Sequence, residues 1–276
     1  GFLERMGIKT LDAPASFYGL ALTLGGGEVT LFDMAGAFNV IANYGNKFEN
    51  SVILEVKNMH GENLYSWEQP QKNYILGSSG QAHAYQIIDI LKDPLARLPG
   101  FGEDSVLEIS HEAAVKTGTT RNFRDNWTIG FTPELLVGVW VGNADAAPME
   151  NVSGIDGAAP IWANFMETAL AFSTKRSFSK PDNLVAVEIC ALSGKLPTEN
   201  CPDRLYELFV KDTQPVIFDD YYRNYWIHKK TGRVILDACK MNYSDFELEQ
   251  KVLVTYPPEL QKWASQNGLQ IPIITP

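Results

Sequence analysis

The sequence predicts an α+β fold in which helices pack against an antiparallel sheet and a small, mostly β domain follows. Three stretches carry apolar residues at helical spacing, near 31–44, 81–91 and 158–172. Between Glu112 and Gly142, three runs rich in Val, Ile, Thr and aromatic residues predict an antiparallel meander. In the last third of the chain, short strand-like pieces alternate with clusters of Pro, Gly, Asn and Asp, which is typical of a small β domain.

The first predicted helix begins at a recognisable cap. Thr30 and Asp33 resemble a capping box, and Met34 and Phe38 follow on one helical face. The preceding glycines, 25–27, suit a tight turn, since the sequence has neither the G-x-G-x-x-G nor the Walker pattern of a phosphate loop. We therefore expect a turn followed by a helix that faces the core.

Prolines and polar turns mark the ends of the later elements. After short strands predicted at 50–57 and 63–67, the second helix ends near Asp93 and Pro94. The third helix opens at Pro160, which suits a first helical turn.

The strands of the meander are separated by 121–124 and by 132–134. Beyond the third helix, the polar and basic segment 173–181 has no periodicity and is the predicted linker. We expect two domains, at residues 1–175 and 176–276.

Composition excludes several classes of function. The net charge of −10, from 33 acidic and 23 basic residues, would repel a phosphate backbone, so we expect no nucleic acid partner. The longest apolar stretches, such as 135–142, are shorter than the roughly 20 residues that span a bilayer. We therefore expect no membrane anchor within the chain.

The three cysteines leave their pairing open. Cys190 and Cys201 bracket a short loop, whereas Cys239 lies far downstream, so the spacing fits one disulfide as well as three free thiols. Three cysteines without a C-x-x-C pair, together with four scattered histidines, do not make a zinc site. We expect neither a metal nor another cofactor.

The tripeptide Lys116-Thr117-Gly118 ends an apolar strand and precedes a hairpin, a setting that suits a substrate cleft. Lys116 would supply a positive charge, and Thr117 and Thr119 would supply hydroxyl groups, for a substrate carboxylate. Gly118 lets a substrate backbone lie against the strand, and the amide of Thr119 would donate to a developing oxyanion. The alternative is a solvated lysine on an edge strand beside a bulge glycine.

A longer pattern surrounds this tripeptide. It comprises residues 113–120 (AAVKTGTT), 124–127 (RDNW), 130–133 (GFTP) and 139–143 (VWVGN), and upstream residues 18–30 and 42–45. In order and spacing the pattern resembles the transpeptidase domain of class A penicillin-binding proteins, over roughly residues 1–170. Farther on, 189–194 (ICALSG) with 201–202 resembles the C-terminal extension of the penicillin-binding protein 1C branch.

The resemblance implies a penicillin-binding, β-lactamase-like transpeptidase fold, followed by an accessory domain of the 1C type. It implies a serine-type D,D-transpeptidase that cross-links peptidoglycan stem peptides through an acyl-enzyme in the periplasm or at the extracytoplasmic face of the membrane. Catalytic roles are implied for Lys116 and Thr119, and substrate binding for Thr117, Gly118 and Thr120. The implied partners are stem peptides and β-lactams, and partner proteins of the cell wall stay open.

In that family the nucleophile is the serine of an S-x-x-K motif, supported by an S-x-N motif, and both precede K-T-G. The segments 177–180 and 265–267 fit these patterns literally, but they follow Lys116, so we reject both. We expect the nucleophile, its lysine base, a glycosyltransferase domain and any membrane anchor upstream of Gly1, and a chain that is inert alone.

A different class of function is a non-catalytic module that binds the cell wall or a partner. The aromatic segment 218–226 motivates it, although packing within a small β domain explains that segment equally well. In the meander, Asp125 and Trp127 should share a face of one strand, with Asp125 paired to Arg121 or Arg124. We expect solvated or packing roles for the four histidines.

Overall fold

A computed structural model describes residues 1–68, 71, 73–269 and 272. The chain divides into two units, Gly1–Asn183 and Leu184–Pro276. Helices pack on antiparallel sheets in the first, and the second is mostly β, so the predicted α+β class is confirmed.

The predicted linker 173–181 is held by the first unit rather than free. Phe178 is buried there, with its ring 5.7 Å from that of Phe131. Its backbone N–H donates to the Glu112 carboxylate at 2.9 Å. The polar, non-periodic sequence of this segment therefore did not indicate that Phe178 packs into the first unit.

Within the described residues, the first unit contains six α-helices and seven strands, among which the predicted helices and meander appear in the predicted order. They are α1 (Phe2–Met6), α2 (Ala15–Tyr18), α3 (Leu31–Ala42), β1 (Asn46–Lys47), β2 (Glu55–Lys57), β3 (Asn63–Ser66), β4 (Asn73–Tyr74), α4 (Gly80–Lys92), α5 (Pro94–Phe101), β5 (Ala114–Thr119), β6 (Asp125–Phe131), β7 (Leu136–Gly142) and α6 (Ala158–Leu170). The predicted cap of α3 is confirmed, because the Thr30 hydroxyl accepts the Asp33 N–H at 3.0 Å.

The predicted meander is confirmed as the antiparallel sheet β5-β6-β7. Lys116 lies opposite Ile129, which lies opposite Gly138, so these three residues share one face. Thr117 lies opposite Thr128 on the other face, and that face packs against α6. We call these the open face and the α6 face.

The core of the first unit lies on the α6 face and centres on Trp162. This side chain is fully buried, together with Met166 and Leu107, and it packs with Val115 of β5. A Cβ on Gly130 would lie 2.4 Å from the Trp162 ring, so the absence of a side chain lets the indole rest on the sheet. The sheet and α6 are therefore fitted to each other at this glycine.

The open face is covered at one end only. There α3 packs on β7 and α4 packs on β5, and they bury Ala114, Ile129 and Phe131. Farther along the same face Lys116 is exposed, and Trp140 keeps 40% of its surface accessible. The helices therefore stop short of the K-T-G tripeptide.

Up to Leu269, the second unit contains a hairpin, a three-stranded sheet and one α-helix. Its elements are β8 (Leu184–Cys190), β9 (Arg204–Val210), β10 (Tyr222–His228), β11 (Val234–Ile235), β12 (Leu248–Val254) and α7 (Pro258–Gln266). Strands β8 and β9 pair with each other, and β10 lies between β11 and β12. A disulfide joins Cys190 to Cys201, whose Cα atoms are 6.0 Å apart, and leaves Cys239 free and exposed.

The aromatic segment 218–226 is divided between packing and exposure. Tyr222 and Trp226 are half-buried in β10, and the Lys240 ammonium lies 3.6 Å from the centre of the Trp226 ring. Asp219 is buried and accepts the backbone N–H groups of Tyr221 and Tyr222. Much of the segment therefore serves the fold of this unit.

Within the described part of the chain, none of the helices has the length and apolar character needed to cross a bilayer.

Candidate active site at the edge of the central sheet

Strand β5 is an edge strand of the described sheet, since only β6 pairs with it. At the hairpin the Thr120 N–H donates to the Asp125 carbonyl at 3.0 Å. Because hydrogen-bonding direction alternates along an antiparallel strand, Gly118 and Lys116 also bond towards β6. The backbone N–H and C=O groups of Thr117 and Thr119 then point to the open edge.

The side chains of the tripeptide lie on both sides of this edge. Lys116 lies on the open face, and among the described residues its ammonium contacts the Thr117 carbonyl and forms no ion pair. Thr117 lies on the α6 face, half-buried, with no described partner for its hydroxyl. A free cation, a free hydroxyl and unpaired backbone amides thus meet where an anionic extended peptide could pair with β5.

The space beside Gly118 within the sheet would accommodate a Cβ atom. A Cβ there would meet the Trp127 Cβ at 3.4 Å, which is an ordinary contact. Close packing within the sheet therefore does not require a glycine at this position.

The two threonines after the glycine are used differently. The Thr119 hydroxyl accepts the Gly154 N–H at 2.8 Å. The Thr120 hydroxyl donates to the Asp125 carboxylate and accepts the Asp125 N–H, both at 2.9 Å. Thr120 thus closes the hairpin, whereas Thr119 keeps its own proton available.

The turn that follows β5 is held in an uncommon conformation. Asn122 and Phe123 have φ values of 62° and 55°, in the left-handed region that a bulky residue rarely adopts. The Phe123 carbonyl accepts the Met149 N–H at 3.2 Å. The loop after β7 therefore helps to hold the turn beside the tripeptide.

The predicted pairing of Asp125 with an arginine is wrong. Its carboxylate accepts the Thr120 hydroxyl on one oxygen and the Trp140 Nε1–H, at 3.0 Å, on the other. Arg121 and Arg124 are exposed and form no ion pair with it within the described residues. Asp125 instead ties the hairpin to β7.

The two literal copies of the serine motifs lie outside the β5-β6-β7 sheet. Residues 177–180 are in an extended segment, so their serine and lysine do not share a helical face as S-x-x-K requires. Residues 265–267 belong to the second unit. The copy at 177–180 therefore lacks the helical setting that the motif requires.

A cavity of about 550 Å³ lies away from the tripeptide, between α4, α5 and residues 107–113. Its lining includes none of the predicted site residues. Burial lowers the pKa of Arg97, although Glu108 and Asp93 oppose this effect, and His111 is buried beside the Ser110 hydroxyl. Carboxylates outnumber cations in this lining, which does not favour an anionic ligand.

Several residues that shape the site were not singled out from the sequence. Asn126 and Thr128 are fully buried on the α6 face and hold the loop after β7, through Val152 and Gly154 respectively. A signal was present, because two polar residues alternate with apolar ones in a strand predicted to be buried. Buried polar side chains need partners, and such a pair indicates a loop across that face.

Curated relatives of this chain are penicillin-binding proteins. The chain is 30% identical over 196 residues to "Penicillin-binding protein 2D" of Bacillus subtilis, covering 71% of this chain and 28% of that protein. It is 29% identical over 217 residues to "Penicillin-binding protein 1A" of Aquifex aeolicus, covering 75% of this chain and 27% of that protein. The chain thus spans less than a third of the length of these relatives.

Solved structures show the same fold. A crystal structure of penicillin-binding protein 1A from Haemophilus influenzae matches 79% of this chain and 37% of its own, with a TM-score of 0.65 and 25% identity. The penicillin-binding protein PonA1 from Mycobacterium tuberculosis in complex with penicillin V matches 65% of this chain and 51% of its own, with a TM-score of 0.51 and 21% identity.

Residues 180–224 match the family described as "Penicillin-binding protein 1A, C-terminal domain". The chain is therefore a relative of penicillin-binding proteins, and these residues belong to a C-terminal domain family of the 1A kind.

Proposed function

We propose that this chain supplies the K-T-G strand of a serine-type D,D-transpeptidase, which cross-links peptidoglycan stem peptides through an acyl-enzyme. The observation that carries the proposal is the open edge of β5. Among the described residues, this edge combines backbone N–H groups that no strand pairs with an exposed Lys116 that forms no ion pair and a Thr117 hydroxyl that has no partner. The homology to penicillin-binding proteins supports the same reading.

The roles follow from where each group points. Lys116 and Thr117 hold the carboxylate of the stem peptide or of a β-lactam, since a cation and a hydroxyl both favour an anion. The Thr119 N–H, directed to the open edge, donates to the oxyanion. Gly118 leaves space for the substrate backbone, and Thr120 contributes by fixing the hairpin through Asp125.

The attacking serine is proposed to come from sequence outside this chain. Both motif copies follow Lys116 in the sequence, whereas the family's serine motifs precede K-T-G, and the chain spans less than a third of the length of its relatives. The chain alone is then inert, and any glycosyltransferase domain and membrane anchor belong to the longer protein. β-Lactams are proposed as ligands, as in the PonA1 complex with penicillin V.

The second unit is proposed to be an accessory domain of the 1C type, in a protein that acts in the periplasm or at the extracytoplasmic face of the membrane. The Cys190–Cys201 disulfide supports this location, because disulfides persist in oxidising compartments. It closes the segment whose sequence resembles the 1C extension.

The test is covalent labelling of the longer protein by a fluorescent penicillin. We expect the intact protein to be labelled, this chain alone to stay unlabelled, and replacement of the upstream S-x-x-K serine by alanine to abolish labelling. Labelling that survives the serine replacement contradicts the proposed mechanism. An unlabelled but folded intact protein contradicts the proposed function.

A further inference from the structure

A short turn before α6 crosses the α6 face at the end of β5. Gly154 begins this turn, and its N–H donates to the Thr119 hydroxyl at 2.8 Å. The Gly154 carbonyl accepts the Thr128 hydroxyl at 3.2 Å and the Ala159 N–H at 3.0 Å. Both polar groups of one glycine thus connect the K-T-G strand, the next strand and the start of α6.

The close approach at this point leaves no room for a side chain. A Cβ on Gly154 would lie 2.6 Å from the Gly118 carbonyl oxygen and 3.0 Å from the Trp127 carbonyl oxygen. Both atoms are backbone, so they cannot turn aside as a flexible side chain can. Any larger residue must therefore displace the end of β5 or lift the turn away from Thr119.

The hydrogen bond from Gly154 also sets the direction of the Thr119 hydroxyl. With one lone pair occupied by the Gly154 N–H, its proton must point away from the turn. No described residue accepts that proton. The hydroxyl is thus a donor without a described partner, on the same face of β5 as the Thr117 hydroxyl, and accepting a hydrogen bond strengthens it as a donor.

We infer that Gly154 is a positioning residue for carboxylate recognition, because it orients the Thr119 hydroxyl towards the anion bound at the edge of β5. This inference rests on the proposed transpeptidase function. It predicts that a substitution in the turn before α6 slows acylation by ligands that carry a carboxylate and leaves acylation by ligands without one unchanged.

The experiment measures the second-order rate constant for acylation of the longer protein by benzylpenicillin and by its methyl ester, which lacks the carboxylate charge. For Gly154→Ala we expect a loss of about tenfold with benzylpenicillin and little change with the ester, as for one charge-assisted hydrogen bond. Gly100→Ala is the matched control, because a Cβ there meets no atom within 4 Å. An equal loss with both β-lactams overturns the inference.

A double-mutant cycle tests whether Gly154 acts through Thr119. Thr119→Val should lose rate with benzylpenicillin, Thr119→Ser should retain it, and in the Thr119→Val background Gly154→Ala should cost no more than about twofold. Fully additive losses overturn the inference.

If Gly154→Ala does not fold, Thr128→Val removes one contact to the Gly154 carbonyl without adding an atom. It should show the same discrimination between the two β-lactams, and equal rates with wild type overturn the inference. A wild-type protein that benzylpenicillin does not acylate contradicts the proposed function instead, so the two failures are distinguishable.

Discussion

Each of the two units of this chain is stabilised in a different way. In the first unit, a sheet and α6 enclose a core around Trp162. Apart from Cys190, the largest fully buried side chains of the described residues all belong to this unit. In the second, two small sheets bury few large side chains, and a disulfide closes the loop between β8 and β9. One unit depends on packing, and the other depends in part on a covalent link.

This difference indicates which unit can present a substrate-binding strand. A sheet supported on one face by a tight core keeps its edge strand straight while the edge itself stays unpaired. Lys116, Thr117 and Thr119 are therefore presented by a rigid element. Among its described residues, the second unit has no comparable strand edge that carries such a motif.

The largest expected effect is on the core of the first unit. Trp162→Ala should destabilise it by about 3–5 kcal/mol, because the indole fills the space between the sheet and α6. Hydrogen exchange read by mass spectrometry should show faster exchange in β5–β7 and unchanged exchange in β8 and β9. Ile161→Ala, at an exposed position of the same helix, is the control. Equal acceleration in both units would show that they do not unfold separately.

The next largest effect concerns the disulfide. Replacing Cys190 and Cys201 by alanine should destabilise the second unit by about 3 kcal/mol, since the bond closes a loop with a sequence separation of 11. Exchange should then accelerate in β8 and β9 while β5–β7 keep their protection. Cys239→Ala, at the exposed free thiol, should change neither. Loss of protection in the first unit instead would contradict the division of roles.

The smallest effect tests a polar tie within the first unit. Ser110 donates hydrogen bonds from its hydroxyl and its backbone N–H to the Glu167 carboxylate, and these bonds lower the pKa of Glu167. Because the pKa of Glu167 in the folded state is below its ordinary value of 4.5, the charged carboxylate stabilises the fold at pH values above 4.5. This stabilisation is lost as the pH falls through the folded-state pKa.

Ser110→Ala should therefore destabilise the chain at neutral pH by less than about 1 kcal/mol, since the carboxylate is exposed. The difference from wild type should shrink as the pH falls well below 4.5, in urea unfolding followed at both pH values. In a Glu167→Gln background, the effect of Ser110→Ala on stability should not depend on pH in this way. A difference that grows on acidification would mean that the carboxylate is not stabilised in its charged form.

Local patterns predicted much of the first unit. The strand runs and their separators predicted β5–β7, and Thr30 predicted the start of α3, because alternation and capping depend on nearby residues. The K-T-G tripeptide was placed on a strand for the same reason. Its position at the edge of a sheet depends on which strands pair, and the local pattern does not determine that.

Features that depend on distant contacts were not predicted. Phe178 finds Phe131 across the fold, Gly154 reaches Thr119, and Asp125 takes the Trp140 indole in preference to a neighbouring arginine. Spacing also left the cysteines undecided, and only the fold brings Cys190 and Cys201 within bonding distance. Such pairings join residues that no window of sequence compares.

The most direct test of the account is the rate constant for acylation by benzylpenicillin of the longer protein with Lys116→Ala. The account predicts a loss of about a hundredfold or more, because the substrate carboxylate then lacks its cation. Lys175→Ala, at an exposed lysine outside the site, should leave the constant unchanged. A Lys116→Ala protein that reacts within about twofold of the wild type would contradict the assignment of β5 as the substrate-binding strand.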